Sequence, residues 1–194
     1  MKRTILVFIL TFIICEAFSQ TSSGVWNSRT ATYSNAEHKI TWQLMDNTEW
    51  IGRPILEEST LFKVRNDELQ VLVQLGATKS APPDDDIWNY VSMFESEDIT
   101  NPKKQLAAYY GMEYIGTKAI KSQLCGIHAV KVRTDMKKDY PEYNGTIHSI
   151  ETTFSLYHNG YIYTITVTAL SVLEEGIATF DRITTMIFNG FEIK

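Results

Sequence analysis

The side chains able to do chemistry are few and widely spaced. Four histidines stand at His38, His128, His148 and His158. Two histidines that share a metal are ordinarily spaced H-x-H or H-x-x-x-H, so that one strand or one helical turn presents both nitrogens to the ion. These four offer no such pair. The run Asp84-Asp85-Asp86 could attract calcium, but an EF-hand loop spaces its oxygens, turns on a central glycine and closes on a glutamate at position 12. Here the acids are consecutive and follow Pro82-Pro83, which suits the capping of a helix. The chain has no G-x-S-x-G elbow, no P-loop and no dinucleotide fingerprint. These readings assign no catalytic residue, no metal ligand and no cofactor-binding residue. The expected protein is not an enzyme.

The N-terminus decides which cysteines matter. Lys2 and Arg3 precede the apolar run Ile5 to Cys15, and Ala17-Phe18-Ser19 supplies small residues at -3 and -1. That is the layout of an export signal cleaved before Gln20. The apolar run is about half the roughly 20 residues a spanning helix needs, so no stable membrane span is expected after cleavage. Bulky Ile13-Ile14 ahead of Cys15 argue against a lipidated cysteine. Removal of residues 1–19 leaves Cys125 as the one cysteine, so no intrachain disulfide can form. A lone thiol beside Leu124 and Gly126-Ile127 is expected to be buried and inert. Loss of Lys2, Arg3 and Glu16 leaves 16 basic and 22 acidic residues, net -6. With its bases scattered, such a chain repels phosphate backbones, and nucleic-acid binding is not expected.

Residues 20–32 read as a lead-in, and 33–194 as a single domain. Ile40, Trp42 and Leu44 alternate with polar residues as in a half-buried strand. Residues 60–76 form a hairpin about Asn66-Asp67, and 77–83 a proline-bearing loop. A helix opens at Asp84–Asp86 with the stripe Ile87, Val91, Phe94. A second is expected to start at Asn101-Pro102 and to end near Gly111. Residues 114–120 and 127–134 read as strands joined at Gly126, and the charged stretch 135–146 as a loop. The capping box Ser171-Val172-Leu173-Glu174 is expected to start a C-terminal helix with Ile177, Phe180 and Ile187 on its apolar stripe. Asn189-Gly190 stops it.

The strongest local signal is Asn159-Gly160 between two strand-like runs, which favours a two-residue type I′ turn. Such a turn sets opposite each other residues whose numbers sum to 319. Leu156–Tyr163, Phe154–Ile165, Thr152–Val167 and Ile150–Ala169 then share one nearly apolar face. Ser155–Thr164, Thr153–Thr166 and Glu151–Thr168 share a polar one, and a slip by one residue would destroy the separation. His158 and His148 fall about ten residues apart along one strand, roughly 33 Å at ~3.3 Å per residue, too far to share a metal.

Strands that come as hairpins, with helices set apart from them, predict an α+β domain: a mostly antiparallel sheet, apolar on one side and covered by helices. With Gly160-Tyr161-Ile162-Tyr163 after the turn and Ile183-Thr184-Thr185-Met186-Ile187-Phe188 in the closing helix, residues 33–194 resemble the PsbP-like sandwich fold, which the Ran-binding Mog proteins share. The chain departs from that pattern in lacking a Pro-x-Gly-Trp at its first hairpin, where Trp42 or Trp50 is a loose substitute. The resemblance implies an accessory or binding role and carries over no site residues.

Tyr157 and Ile162 oppose each other on the otherwise polar face of the hairpin, beside Tyr161 at the turn. Exposed apolar groups in polar surroundings are interface candidates, and these three form the expected binding patch. Trp88, Phe94 and Tyr163 read as core. The expected protein is periplasmic or secreted and binds an unknown protein or small ligand at the cell envelope. The alternatives are a carrier or sensor of a small apolar ligand held between sheet and helices, in a pocket lined by Trp88, Tyr109 and Tyr163, and a hydrolase with dispersed catalytic residues.

Overall fold

The Asn159-Gly160 turn organises the larger of two sheets. The computed structural model describes residues 24–45, 48–52, 59–141 and 145–194, apart from the Leu170 side chain. The export leader read at 1–19 lies outside those residues. Asn159 (φ 49°) and Gly160 (φ 83°) are both left-handed, as a type I′ turn requires. The flanking strands β9 (Gly145–His158) and β10 (Tyr161–Leu173) pair Leu156 with Tyr163, Phe154 with Ile165, Thr152 with Val167 and Ile150 with Ala169. Phe154 is 7% exposed and Ile165 fully buried, so the face separation expected from the alternation is the one observed.

Around this hairpin runs a seven-stranded antiparallel sheet in the order β4-β5-β6-β10-β9-β8-β7. Its other strands are β4 (Ile51–Gly52), β5 (Thr60–Asn66), β6 (Val71–Lys79), β7 (Glu113–Leu124) and β8 (Ile127–Tyr140). A four-stranded sheet holds β1 (Gly24–Asn27), β2 (Thr32–Asn35), β3 (Ile40–Gln43) and, at its edge, β11 (Phe191–Ile193). Two α-helices are present among the described residues, α1 (Glu97–Tyr109) and α2 (Ile177–Asn189). A nine-residue 3-10 helix, Ile87–Glu95, precedes α1.

The first face of the large sheet carries Val73, Leu75, Leu156, Tyr163, Ile165 and Val167, each 0–1% exposed. Its cover is shared, and this corrects the expectation of one sheet sealed by helices alone. Tyr33 of the small sheet stacks on Phe62 of β5 at 4.4 Å, and Trp42 meets the same ring edge-on at 6.0 Å. Phe188 of α2 meets Phe154 at 4.7 Å. The Trp42 indole N–H donates to the Ile187 carbonyl at 2.8 Å, so the most buried large ring has its polar atom paired. The link from α2 into β11 is tight: Gln43 N–H donates to the Gly190 carbonyl at 2.8 Å, and a Cβ on Gly190 would overlap the Gln43 carbonyl.

Several boundaries differ from those expected, each for a physical reason. Residues 24–27 of the lead-in form β1 against β2. β6 runs on to Lys79, because Ala77, Thr78 and Lys79 find ladder partners in Tyr163, Ile162 and Tyr161. The charged stretch 135–146 is largely ladder, with Lys137 opposite His148 and Asp139 opposite Thr146. Side-chain charge there reports solvent on the sheet and says nothing about backbone pairing. Ser171 caps no helix: β10 passes a bulge between Ala169 and Val172 and continues to Leu173, and α2 begins at Ile177 after a 3-10 turn, Glu174–Gly176. α1 starts at Glu97, four residues before Asn101, with Glu97 and Asp98 in its first turn and Pro102 inside it. The acids favour the positive end of the helix dipole, and a proline this near the N-terminus removes little of the hydrogen-bond ladder.

Candidate binding cleft

The second face of the large sheet is only partly covered. Ile87, Val91 and Phe94 of the 3-10 helix pack on Ala119, Val130 and Val132 of β7 and β8. The aromatic and aliphatic stripe expected for a helix after Asp86 is therefore present, wound more tightly than α. α1 packs behind it against β7. Lys103 ties α1 to β9 and β8, its ammonium 2.5 Å from Glu151 and donating to the Thr134 hydroxyl at 3.0 Å.

To reach the 3-10 helix from β6, the chain must pass over β10 and β9. Residues 80–86 form this strap, and it is held at both ends. At one end Ser80 N–H donates to the Gly160 carbonyl at 2.9 Å. At the other Asp86 accepts the Trp88 N–H at 2.9 Å, and its second oxygen lies 2.5 Å from His128 Nδ1 on β8. The Trp88 N–H and the His128 ring hold the Asp86 carboxyl below its ordinary value of 3.8. The Trp88 ring stacks on His128 with centroids 3.5 Å apart, and its indole N–H is shared between the Ser122 and Ala129 carbonyls at 2.8 and 3.1 Å. Pro82 and Pro83 keep the strap from extending the ladder, because neither has an N–H to donate.

Beneath the strap lies an open cleft of about 750 Å³. Its floor is Ser155, Tyr157, Ile162 and Thr164 of the central hairpin. Its walls are strap residues 80–84, Ile87, Tyr90, Met93 and Phe94 of the 3-10 helix, and Ser96, Asp98 and Ile99 at the start of α1. Ile162 is 38% exposed, Met93 59% and Ile99 43%, so apolar surface stands open to solvent. The cleft has the size and the mostly apolar lining of small-molecule sites. Gly76 borders the floor opposite Thr164; a Cβ there would meet the Thr164 hydroxyl at 2.5 Å.

The three residues of the expected patch part company. Tyr157 and Ile162 stand opposite each other in the ladder and both line the cleft. Tyr161 belongs to the first face, its ring 4.7 Å from His38 and 6.0 Å from Tyr163. Strand alternation separates them, since 161 and 162 point to opposite sides. The pocket expected around Trp88, Tyr109 and Tyr163 does not form. Trp88 is engaged with His128, Tyr109 is 83% exposed, and Tyr163 is 1% exposed in the first-face core. The Tyr163 hydroxyl lies 2.8 Å from His38 Nδ1, and burial, with lesser contributions from Tyr161 and Glu37, pushes its phenol up to about 12. The strap residues, Met93 and Ile99 were missed. Their signal was weak: two prolines read as loop, and side chains beside the Ile87, Val91, Phe94 stripe.

Cys125 also differs from its expectation. Cys125 (φ 55°) and Gly126 (φ 76°) form the two-residue turn between β7 and β8, and Cys125 is exposed. The turn lifts the backbone into solvent, while the thiol donates to the Phe191 carbonyl at 2.9 Å. Burial of the sulfur raises the thiol pKa. His158 sits opposite Tyr161 and His148 opposite Val172. Among the described residues no group of three His, Cys, Asp or Glu side chains could hold a metal.

Solved structures place this architecture. The solution structure of the cyanobacterial PsbP protein CyanoP from Synechocystis sp. PCC 6803 matches 90% of this chain and 98% of its own, with a TM-score of 0.51 at 12% identity. The fold is PsbP-like. LpqN of Mycobacterium tuberculosis, described as involved in cell envelope biogenesis, matches over 80% of this chain and 83% of its own at 12% identity and a TM-score of 0.46. The Ran-binding protein Mog1p of Saccharomyces cerevisiae matches over 82% and 93% at 8% identity and a TM-score of 0.35. At these identities the PsbP-like likeness is one of fold alone. No family model and no curated protein matches the chain. Among the described residues no helix is long and apolar enough to cross a membrane.

Proposed function

We propose that this is an exported, non-enzymatic accessory protein of the cell envelope that binds a small apolar ligand in the strap-covered cleft. The observation that carries the reading is the cleft itself: about 750 Å³, floored by Tyr157 and Ile162 and left open on an otherwise well-packed molecule. The leader, with its basic start, apolar middle and Ala17-Phe18-Ser19 ending, supports delivery to the periplasm or the medium. Protein exported by its host is expected to begin at Gln20.

Native mass spectrometry of protein purified from its host tests the binding role. A retained small-molecule mass is expected, and it should be lost in Ile162→Ser and Tyr157→Ala. Ile162→Ser should leave global stability within about 1 kcal/mol, since the side chain is already substantially exposed. A retained mass that survives both substitutions would move the site elsewhere. Clear turnover in an esterase, glycosidase and peptidase screen, abolished by mutation of one histidine, would overturn the non-enzymatic role.

A further inference from the structure

We propose, resting on the binding role above, that the cleft selects a cationic amphiphile: an apolar body carrying a primary ammonium head. The apolar body follows from Ile162, Met93, Phe94 and Ile99, which line the cleft and offer a chain or ring more contact than water does. The sign of the head follows from charge. Asp84 on the strap and Asp98 in the first turn of α1 both line the cleft, and no lysine, arginine or histidine does. Neither carboxylate takes part in an ion pair among the described residues. The two acids come from different elements that line one cleft, so a positive head group inside it is attracted by both. The dipole of α1 offsets part of the Asp98 charge. The chain as a whole is anionic, net -5, which adds to the repulsion of a negative head. Tyr90 and Tyr157 line the same space, and aromatic faces attract ammonium groups. The cleft thus has apolar walls, two carboxylates outside any ion pair among the described residues and tyrosine rings, the combination that discriminates an alkyl or aryl amine from the matching alcohol or acid.

The test is calorimetric titration of the full mature protein at pH 7 and low ionic strength. The probes are decylamine, decanol and decanoate, each below its self-association concentration. Decylamine is expected to bind about 5- to 10-fold more tightly than decanol, the size expected of two solvent-exposed carboxylates, and decanoate more weakly than either. The gap between decylamine and decanol should narrow as salt is raised. It should close in the double variant Asp84→Asn/Asp98→Asn, whose folding is checked by thermal melting. Equal binding of decylamine and decanol, or a gap that persists in the double variant, would overturn the charge selection and leave the apolar cleft standing. Failure of all three probes to bind would overturn the cleft's binding role itself.

Discussion

The two faces of the large sheet are built from the same strands and end in opposite states. On the first, Trp42, Leu75, Leu156, Ile165 and Ile187 are fully buried, and the Trp42 and Tyr163 polar atoms have partners. On the second, the buried cluster is only Ala119, Val130 and Val132, and Ile162, Met93 and Ile99 remain open. The first face is covered by a sheet and a helix that together span its central strands. The second is covered at its β7 and β8 end by the 3-10 helix and α1, and a proline-bearing strap bridges the rest. A strap held at its ends encloses space without filling it. Stability is therefore concentrated on one side of the sheet and available apolar surface on the other.

Three measurements would break or sharpen this contrast. The largest effect is expected from Trp42→Ala, which empties the centre of the first face and takes the indole N–H from the Ile187 carbonyl, leaving it the longer bond from the Gly190 N–H at 3.3 Å. Urea denaturation should show a loss of about 3–5 kcal/mol, a large part of the ~5–15 kcal/mol typical of a domain. A loss under ~1 kcal/mol would mean that the first face is not the stabilising one.

The second effect is alkaline. The Tyr163 phenol titrates near 10 when unfolded and is pushed up to about 12 in the folded protein. Above pH 10 the unfolded chain gives up this proton first, so the folded state binds more protons and stability falls with rising pH until about 12. At about 1.4 kcal/mol per unit the window is worth about 2–3 kcal/mol. Tyr163→Phe should flatten that part of the pH profile. A profile with the same slope in the variant would remove Tyr163 as its cause.

The smallest effect belongs to the open face. The folded Asp86 carboxyl titrates below its ordinary 3.8, held there by the Trp88 N–H and His128. Its contribution is complete above 3.8 and is lost as pH falls through the lowered folded value. Because the group is exposed, the change should appear as faster amide exchange in the 3-10 helix, at Trp88 first, with little movement of the global midpoint. Protection at Trp88 that is unchanged into strong acid would show that the strap is held by something other than its Asp86 anchor.

The elements legible in the sequence are those where turn chemistry and face chemistry act within a few residues. Asn159-Gly160 sets the central hairpin, and alternation from 150 to 169 sets its two faces. Val71, Val73 and Leu75 mark β6, and Ile40, Trp42 and Leu44 mark β3. The illegible elements depend on partners distant in the chain. β11 exists because β3, about 150 residues earlier, offers it an edge. The polar ends of β8 and β9 are strand because each pairs with the other. The split of Tyr161 from Tyr157 and Ile162 was implicit in alternation, whereas the cleft was not.

The sequence by itself determined the central register, the apolar side of the central hairpin strands, β3 and β6, and the acidic balance of the chain, because these follow from local φ/ψ preferences and counted charge. Only the tertiary structure decided that the second face stays open. That outcome depends on where a strap leaving β6 is anchored, at Gly160 and at His128, and on how far the 3-10 helix and α1 reach across the sheet. Neither is a property of any short window of residues.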